Sequence, residues 1–272
     1  MRTLRIALYC LLGGLPLTIA AAGAGHFGWW WLSGIVLAAA FVPLALFGPR
    51  HFLVQWGVAF LPLWVAGSVG TMWEAAIFLP GQKEVAGRDI AGAFVLYLIF
   101  TLALALLAKV LRLTDSSAST PELRPAAIVA AMVVVSGIAY VVYYLIFGGI
   151  TFQFFTKQYY PDAQSVAMRL GMRFWLIELT RGVIMTLALL PAIYTLRMLR
   201  WAAAISIGVL LWIAGGGSQL LVPNLLMVPA QRYIHIVEIL TQNVGLGITA
   251  VLLMRRRTKN STVSVALREA HG

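Results

Sequence analysis

Residues 91–110 read AGAFVLYLIFTLALALLAKV, an apolar run whose single charge is Lys109, one residue from its end. A helix rising about 1.5 Å per residue needs roughly 20 such residues to cross the hydrocarbon core of a bilayer. Similar runs lie on both sides of it. They predict spans over 6–24, 28–47, 52–72, 91–110, 126–147, 173–195, 201–221 and 233–254. The period-two alternation of a membrane barrel, sustained over about ten residues, is absent. The predicted fold class is therefore all-α: a polytopic transmembrane helix bundle of about eight spans.

Composition agrees. Of 272 residues, 61% are hydrophobic and 11% charged, with mean hydropathy +0.90. A soluble domain carries about 25% charged residues, so too little polar surface is left to cover a water-facing globule. The net charge of +11 follows from cationic loops on one side of a membrane, and nucleic acid is not implied. Cys10 is the only cysteine, which excludes an intrachain disulfide and a thiolate metal cage. Arg2 and Arg5 before an apolar stretch, with small residues over Ala20–Gly25, resemble a signal peptide. The next run starts at Trp29, however, so an uncleaved first helix is expected.

With the N-terminus inside, the cytoplasmic segments hold Arg2, Arg5, Arg50, Lys109, Arg112, Arg124, Arg197, Arg200, Arg255, Arg256, Arg257, Lys259 and Arg268. The outer segments hold Lys83, Arg88, Lys157, Arg169, Arg173 and Arg232. This split predicts an N-in, C-in orientation. Trp29, Trp30 and Trp31, and the Phe152–Tyr160 segment, fit an outer aromatic belt, and residues 73–80 and 151–160 suit short interfacial helices or plain loops. The expected organisation is an N-terminal four-helix half (1–111), a cytoplasmic linker with Ser116, Ser117, Ser119 and Thr120 (112–125), a C-terminal four-helix half (126–258) and a disordered polar tail (259–272).

Ionisable residues inside a span need a partner or a wet cavity, since a charge at helix centre costs about 2.5–3.5 kcal/mol on insertion scales. Glu178 and Arg181, three apart on the sixth span, share a face and can pair. On the eighth, Arg232, His235, Glu238 and Gln242 recur at three or four residues and form a stripe that Asn243 adjoins. Glu178 and Arg181 sit about 7 and 12 Å below their helix start, and Glu238 and Gln242 about 8 and 14 Å below theirs. One layer near the outer face thus holds both sets, and an Arg181–Glu238 contact is expected. Gly215, Gly216 and Gly217 in the seventh span let a backbone or ligand approach that layer. Glu74 reads as an interfacial charge at the outer end of the third span.

Sharper motifs are missing. His235 is the only histidine of the cluster, so no metal is expected. There is no HExxH, no paired-glutamate CAAX-protease pattern, no GxSxG elbow and no phosphate-binding glycine loop. A bis-histidine haem site lacks its second ligand, and no cofactor is implied.

The Phe147–Gly148 end of the fifth span, the aromatic segment to Tyr160, Arg181–Gly182, Pro223–Asn224 and the series Pro229, Arg232, His235, Glu238, Asn243 carry a resemblance. Over residues 140–254 the chain resembles a family of bacterial polytopic inner-membrane proteins with no assigned activity. The resemblance implies a multi-pass location in the bacterial cytoplasmic (inner) membrane and adds no catalytic assignment.

The leading functional expectation is transport or binding of a small polar or anionic ligand in a cavity of the outer leaflet. Glu178, Arg181, Arg232, His235, Glu238, Gln242 and Asn243 would bind it or carry a proton, and Gly215, Gly216 and Gly217 would shape the cavity. The partners expected are membrane lipid and that ligand. A membrane enzyme acting on a lipid or lipid-linked substrate, with His235 or Glu238 as general base, is the alternative. A non-catalytic accessory or assembly subunit, whose ion pairs only fix helix packing, is the other. No motif assigns a reaction.

Overall fold

Hydrocarbon leaves a spanning segment no choice but to satisfy its backbone internally, so each long apolar run folds as a helix. The structure, a computed structural model, describes residues 1–78, 82–115, 121–122, 124–160, 162–224 and 227–256. Among these are eight helices long and apolar enough to cross a membrane: Arg2–Ala20, Phe27–Phe47, Phe52–Ile77, Lys83–Val110, Ala126–Thr156, Met172–Thr195, Arg200–Gly217 and Pro229–Met254. They are numbered one to eight below. The protein is an all-α, multi-pass membrane bundle. Residues 257–272 and 116–120, which include the whole of the expected tail and the centre of the expected linker, lie outside the described residues.

The third and fifth spans run farther than their apolar cores suggest. The third passes through a wide π turn at Val65–Gly70 and continues as Thr71–Phe78. Glu74 therefore rides on the spanning helix itself, and no separate interfacial helix begins at residue 73. The fifth likewise carries π turns at Tyr144–Gly148 and Phe152–Thr156, so most of the expected interfacial segment is its last turns. The seventh ends in a π turn, Ile213–Gly217, where Gly216 adopts φ 144° and the helix breaks. A π turn forfeits regular i→i−4 bonding and widens the helix locally, and such turns cluster at functional sites. A short helix, Ala163–Leu170, leads into the sixth span.

Buried apolar side chains from both halves of the chain, Phe41, Leu63 and Phe100 with Leu189, Leu211 and Leu246, form one core. The seventh span packs along the eighth, the fifth lies against the sixth and eighth, and the sixth reaches across to the third. The π turns of the third and seventh spans face each other.

The second, sixth and eighth spans finish together, and arginines tie their ends. Each helix leaves its last carbonyls without partners and carries partial negative charge there, which favours a cationic donor. Arg197 donates from Nη2 to the Gly48 carbonyl at 2.8 Å. Arg255, 2% exposed, reaches Ile193 O at 2.6 and 2.9 Å, Leu196 O at 2.6 Å and Met198 O at 3.1 Å. Arg200 bonds the Leu252 carbonyl. The described flanks of the 112–125 connection dock at this end too, with Asp115 N–H on Leu46 O at 2.7 Å and Arg124 N–H on Met254 O at 3.1 Å.

Candidate functional site

At the opposite end, Arg181 projects from the sixth span toward the third. Its Nη2 meets Glu74 Oε2 at 2.8 Å, and its Nη1 meets Glu178 Oε2 at 3.4 Å. The guanidinium also lies over the Tyr140 ring, 5.6 Å from its centroid, a favourable placement for a cation on an aromatic face. Tyr144 donates its hydroxyl to Glu74 Oε1 at 3.2 Å. Glu178 is fully buried, and its Oε1 has no hydrogen-bond partner, as is true of Arg181 Nε. The i,i+3 pair read from the sequence is thus present, but the shorter contact of Arg181 is with Glu74. The expected Arg181–Glu238 contact is replaced by this one: Arg181 is taken by Glu74 and Glu178, and Glu238 by His235 and Gln242.

The eighth span presents a different chain of bonds. His235 Nδ1 lies 2.9 Å from Glu238 Oε2, and Gln242 Nε2 donates to Glu238 Oε1 at 3.2 Å. His235 Nε2 meets the Tyr160 hydroxyl at 3.0 Å, with the rings edge to face. Burial pushes the Tyr160 phenol up to about 12, so its proton stays on through the neutral range. With Nδ1 giving its hydrogen to Glu238, a neutral His235 accepts from Tyr160, and a protonated one donates to it.

Not all of the candidate stripe faces this way. Arg232, 5% exposed, turns its Nη1 to the Leu220 and Leu221 carbonyls, 3.4 Å from each. Asn243 donates to Leu211 O at 3.2 Å and lies so close to Gly215 that a Cβ there would stand 2.4 Å from its Nδ2. Gly217 packs on Trp212. Arg232 and Asn243 thus hold the eighth span against the seventh and the turn that follows it. Of the three glycines, Gly216 alone lines the cavity, and its positive φ is the conformation that a side chain would strain.

The cavity between these elements has a volume of about 470 Å³. Glu74 lines it from the third span, Gln219 from the turn after the seventh, and His235, Glu238 and Gln242 from the eighth. Tyr144, Phe152, Tyr160, Phe174 and Trp175 supply an aromatic wall. Every π turn of the bundle contributes a lining residue: Gly67, Gly148, Gln153 and Gly216. Gly148 allows the fifth span to approach the eighth, since a Cβ there would lie 3.1 Å from Gln242 Nε2 and 3.3 Å from Glu238 Oε1. Leu145, Gly149 and Gln153 follow at four-residue spacing; each lines the cavity and is exposed at the helix flank. Arg181 and Arg232 do not line it. Among the described residues no three His, Cys, Asp or Glu side chains are grouped to hold a metal ion.

Sequence reading missed Glu74, Tyr144, Tyr160 and Gly148 as site residues. Spacing along one helix cannot reveal which other helix it faces. A usable signal existed only for Glu74, on an apolar run that continues beyond residue 72 to Ile77. Comparison with known proteins leaves the reading to this geometry: no family model, no curated protein and no solved structure matches the chain.

Proposed function

We propose that the protein resides in the bacterial cytoplasmic membrane with both termini inside, and that it binds and carries a small polar ligand with an apolar body through the cavity. The observation that supports this most is the convergence of Glu74, His235, Glu238 and Gln242 on a space of about 470 Å³ that is also lined by aromatic side chains. Ligand sites have this form, a mainly apolar pocket of some 300–1,000 Å³ with a few placed polar groups. The ligand is not read as an anion, because Arg181 and Arg232 turn away from the cavity. Ionisable groups within spans mark ligand or proton paths.

A membrane enzyme on a lipid or lipid-linked substrate is the second reading. The exposed cavity-lining row Leu145, Gly149, Gln153 favours it, since a lipid would enter from the side there. His235 would be its base; Arg181, already engaged by two carboxylates, is no phosphate holder. An accessory subunit needs no cavity and has no observation in its favour.

The test is thermal stabilisation of the purified chain by a panel of cationic, neutral and anionic amphipathic solutes. A ligand that binds only the folded state raises its stability. At least one solute stabilises the native chain, and Ala75→Trp, which fills the cavity, abolishes the effect. No stabilisation, or stabilisation that survives Ala75→Trp, ends the proposal.

A further inference from the structure

Resting on that reading of the cavity, the arrangement of charges defines the ligand class. The groups facing one another at this level are Glu74 from the third span, Tyr140 and Tyr144 from the fifth, Tyr160 beyond it, Glu178 and Arg181 from the sixth, and His235 and Glu238 from the eighth. Three are carboxyls. Arg181 is the one permanent cation bonded to these carboxyls, since Arg232 turns to the Leu220 and Leu221 carbonyls, and His235 is a second positive charge only when protonated. Two cations cannot balance three carboxylates. A net charge is costly within membrane-spanning helices, and a carboxylate buried without enough cations is neutralised by a proton instead.

Glu178 is where that proton belongs. It has no exposure, its Oε1 has no partner, and it shares Arg181 with a carboxylate 2.8 Å from the same guanidinium. Glu74 is the opposite case: its side chain is 35% exposed and lines the cavity. We propose that the cavity takes up an aromatic or alkyl organic cation in exchange for the proton of Glu178. As the cation settles against Glu74 and the aromatic wall, the Glu178 O–H bond breaks, its proton leaves to water, and Arg181 shifts its charge from Glu74 to Glu178. One proton leaves for each monovalent cation bound, so total charge is unchanged. The aromatic rings add cation–π attraction, and no lysine or arginine is found among the lining residues that are described.

Tetraphenylphosphonium, its anionic isostere tetraphenylborate and neutral tetraphenylmethane distinguish the outcomes, using the full chain in detergent and calorimetry in buffers of different ionisation enthalpy. The cation binds with release of one proton, and its affinity rises about tenfold per pH unit while Glu178 is protonated in the free protein. Infrared difference spectra show a protonated carboxylic acid lost on binding. Glu178→Gln lacks that signal, releases no proton, and binds at least tenfold more weakly without pH dependence. Glu74→Gln weakens binding but keeps the acid signal in the free protein, which guards against a misfolded Glu178→Gln. Cation binding without proton release, or an acid signal that persists in Glu178→Gln, overturns the exchange. Equal binding of the anion or the neutral isostere, abolished by Ala75→Trp, overturns the cation assignment and leaves the cavity reading intact. Failure of all three to bind overturns both.

Discussion

Arg181 at the cavity end and the arginines at the other end of the bundle have opposite kinds of acceptor, while Arg232, at the cavity end, sides with the latter by bonding the Leu220 and Leu221 carbonyls. Where the second, sixth and eighth spans finish, Arg197, Arg200 and Arg255 give their hydrogens to main-chain carbonyls. At the cavity end, Arg181 gives its hydrogens to Glu74 and Glu178. A carbonyl at a helix terminus can neither titrate nor leave, so the first arrangement has one state. A carboxylate can take a proton or move to another cation, so the second has several. Buried arginine alone therefore says little about function; the chemistry of its acceptor says much more.

The largest effect that tests this contrast is expected from Arg181→Met. It leaves the Glu74 carboxylate without its cation, and removing one partner of a buried ion pair costs about 3–5 kcal/mol. Adding Glu74→Gln should restore a good part of the melting temperature. If the double variant melts no higher than Arg181→Met, Glu74 is not held by that guanidinium.

Arg255→Ala comes next. Unpairing the carbonyls of Ile193, Leu196 and Met198 should lower stability by about 2–3 kcal/mol, read by chemical denaturation in detergent. Ligand affinity at the other end should not change, because sites without shared partners act independently. An altered affinity would mean that the clamped end is part of the ligand cycle.

Gly148→Ala should cost about 1–3 kcal/mol, as overpacking does, since the new methyl meets Gln242 and Glu238. Its sharper signature is a greater loss of ligand binding than of stability. A variant that binds normally would show that the fifth span can move back at no functional cost.

Tyr160→Phe should be the mildest, about 1 kcal/mol for one hydrogen bond. Its phenol has a higher pKa folded, about 12, than unfolded, about 10. The folded state thus holds the proton more tightly. This contribution is complete below pH 10 and is lost as pH rises through 12. The stability difference between the native chain and Tyr160→Phe should shrink over that interval, and a constant difference would place the phenol in water.

What could be read in advance followed distance along the chain. His235 and Glu238, and Glu178 and Arg181, are three residues apart, and helical rise alone brings each pair together at 2.9 and 3.4 Å. Arg232 shares that spacing yet bonds the Leu220 and Leu221 carbonyls, because a side chain at a helix start finds the nearest loop before it finds a cavity. Glu74 lies just past the expected end of the third span at residue 72, whereas the helix widens at Val65–Gly70 and continues to Phe78.

From the amino-acid order alone came the multi-pass helical bundle and the pairs within single helices, since hydrocarbon compels internal backbone bonding and a helix has a fixed pitch. Only the tertiary structure decided that Arg181 answers to Glu74, that Tyr160 caps His235, that Arg255 closes the end of the sixth span, and that four π turns surround one cavity. Those contacts depend on which helices become neighbours. That is settled by packing over the whole bundle, and no local pattern records it.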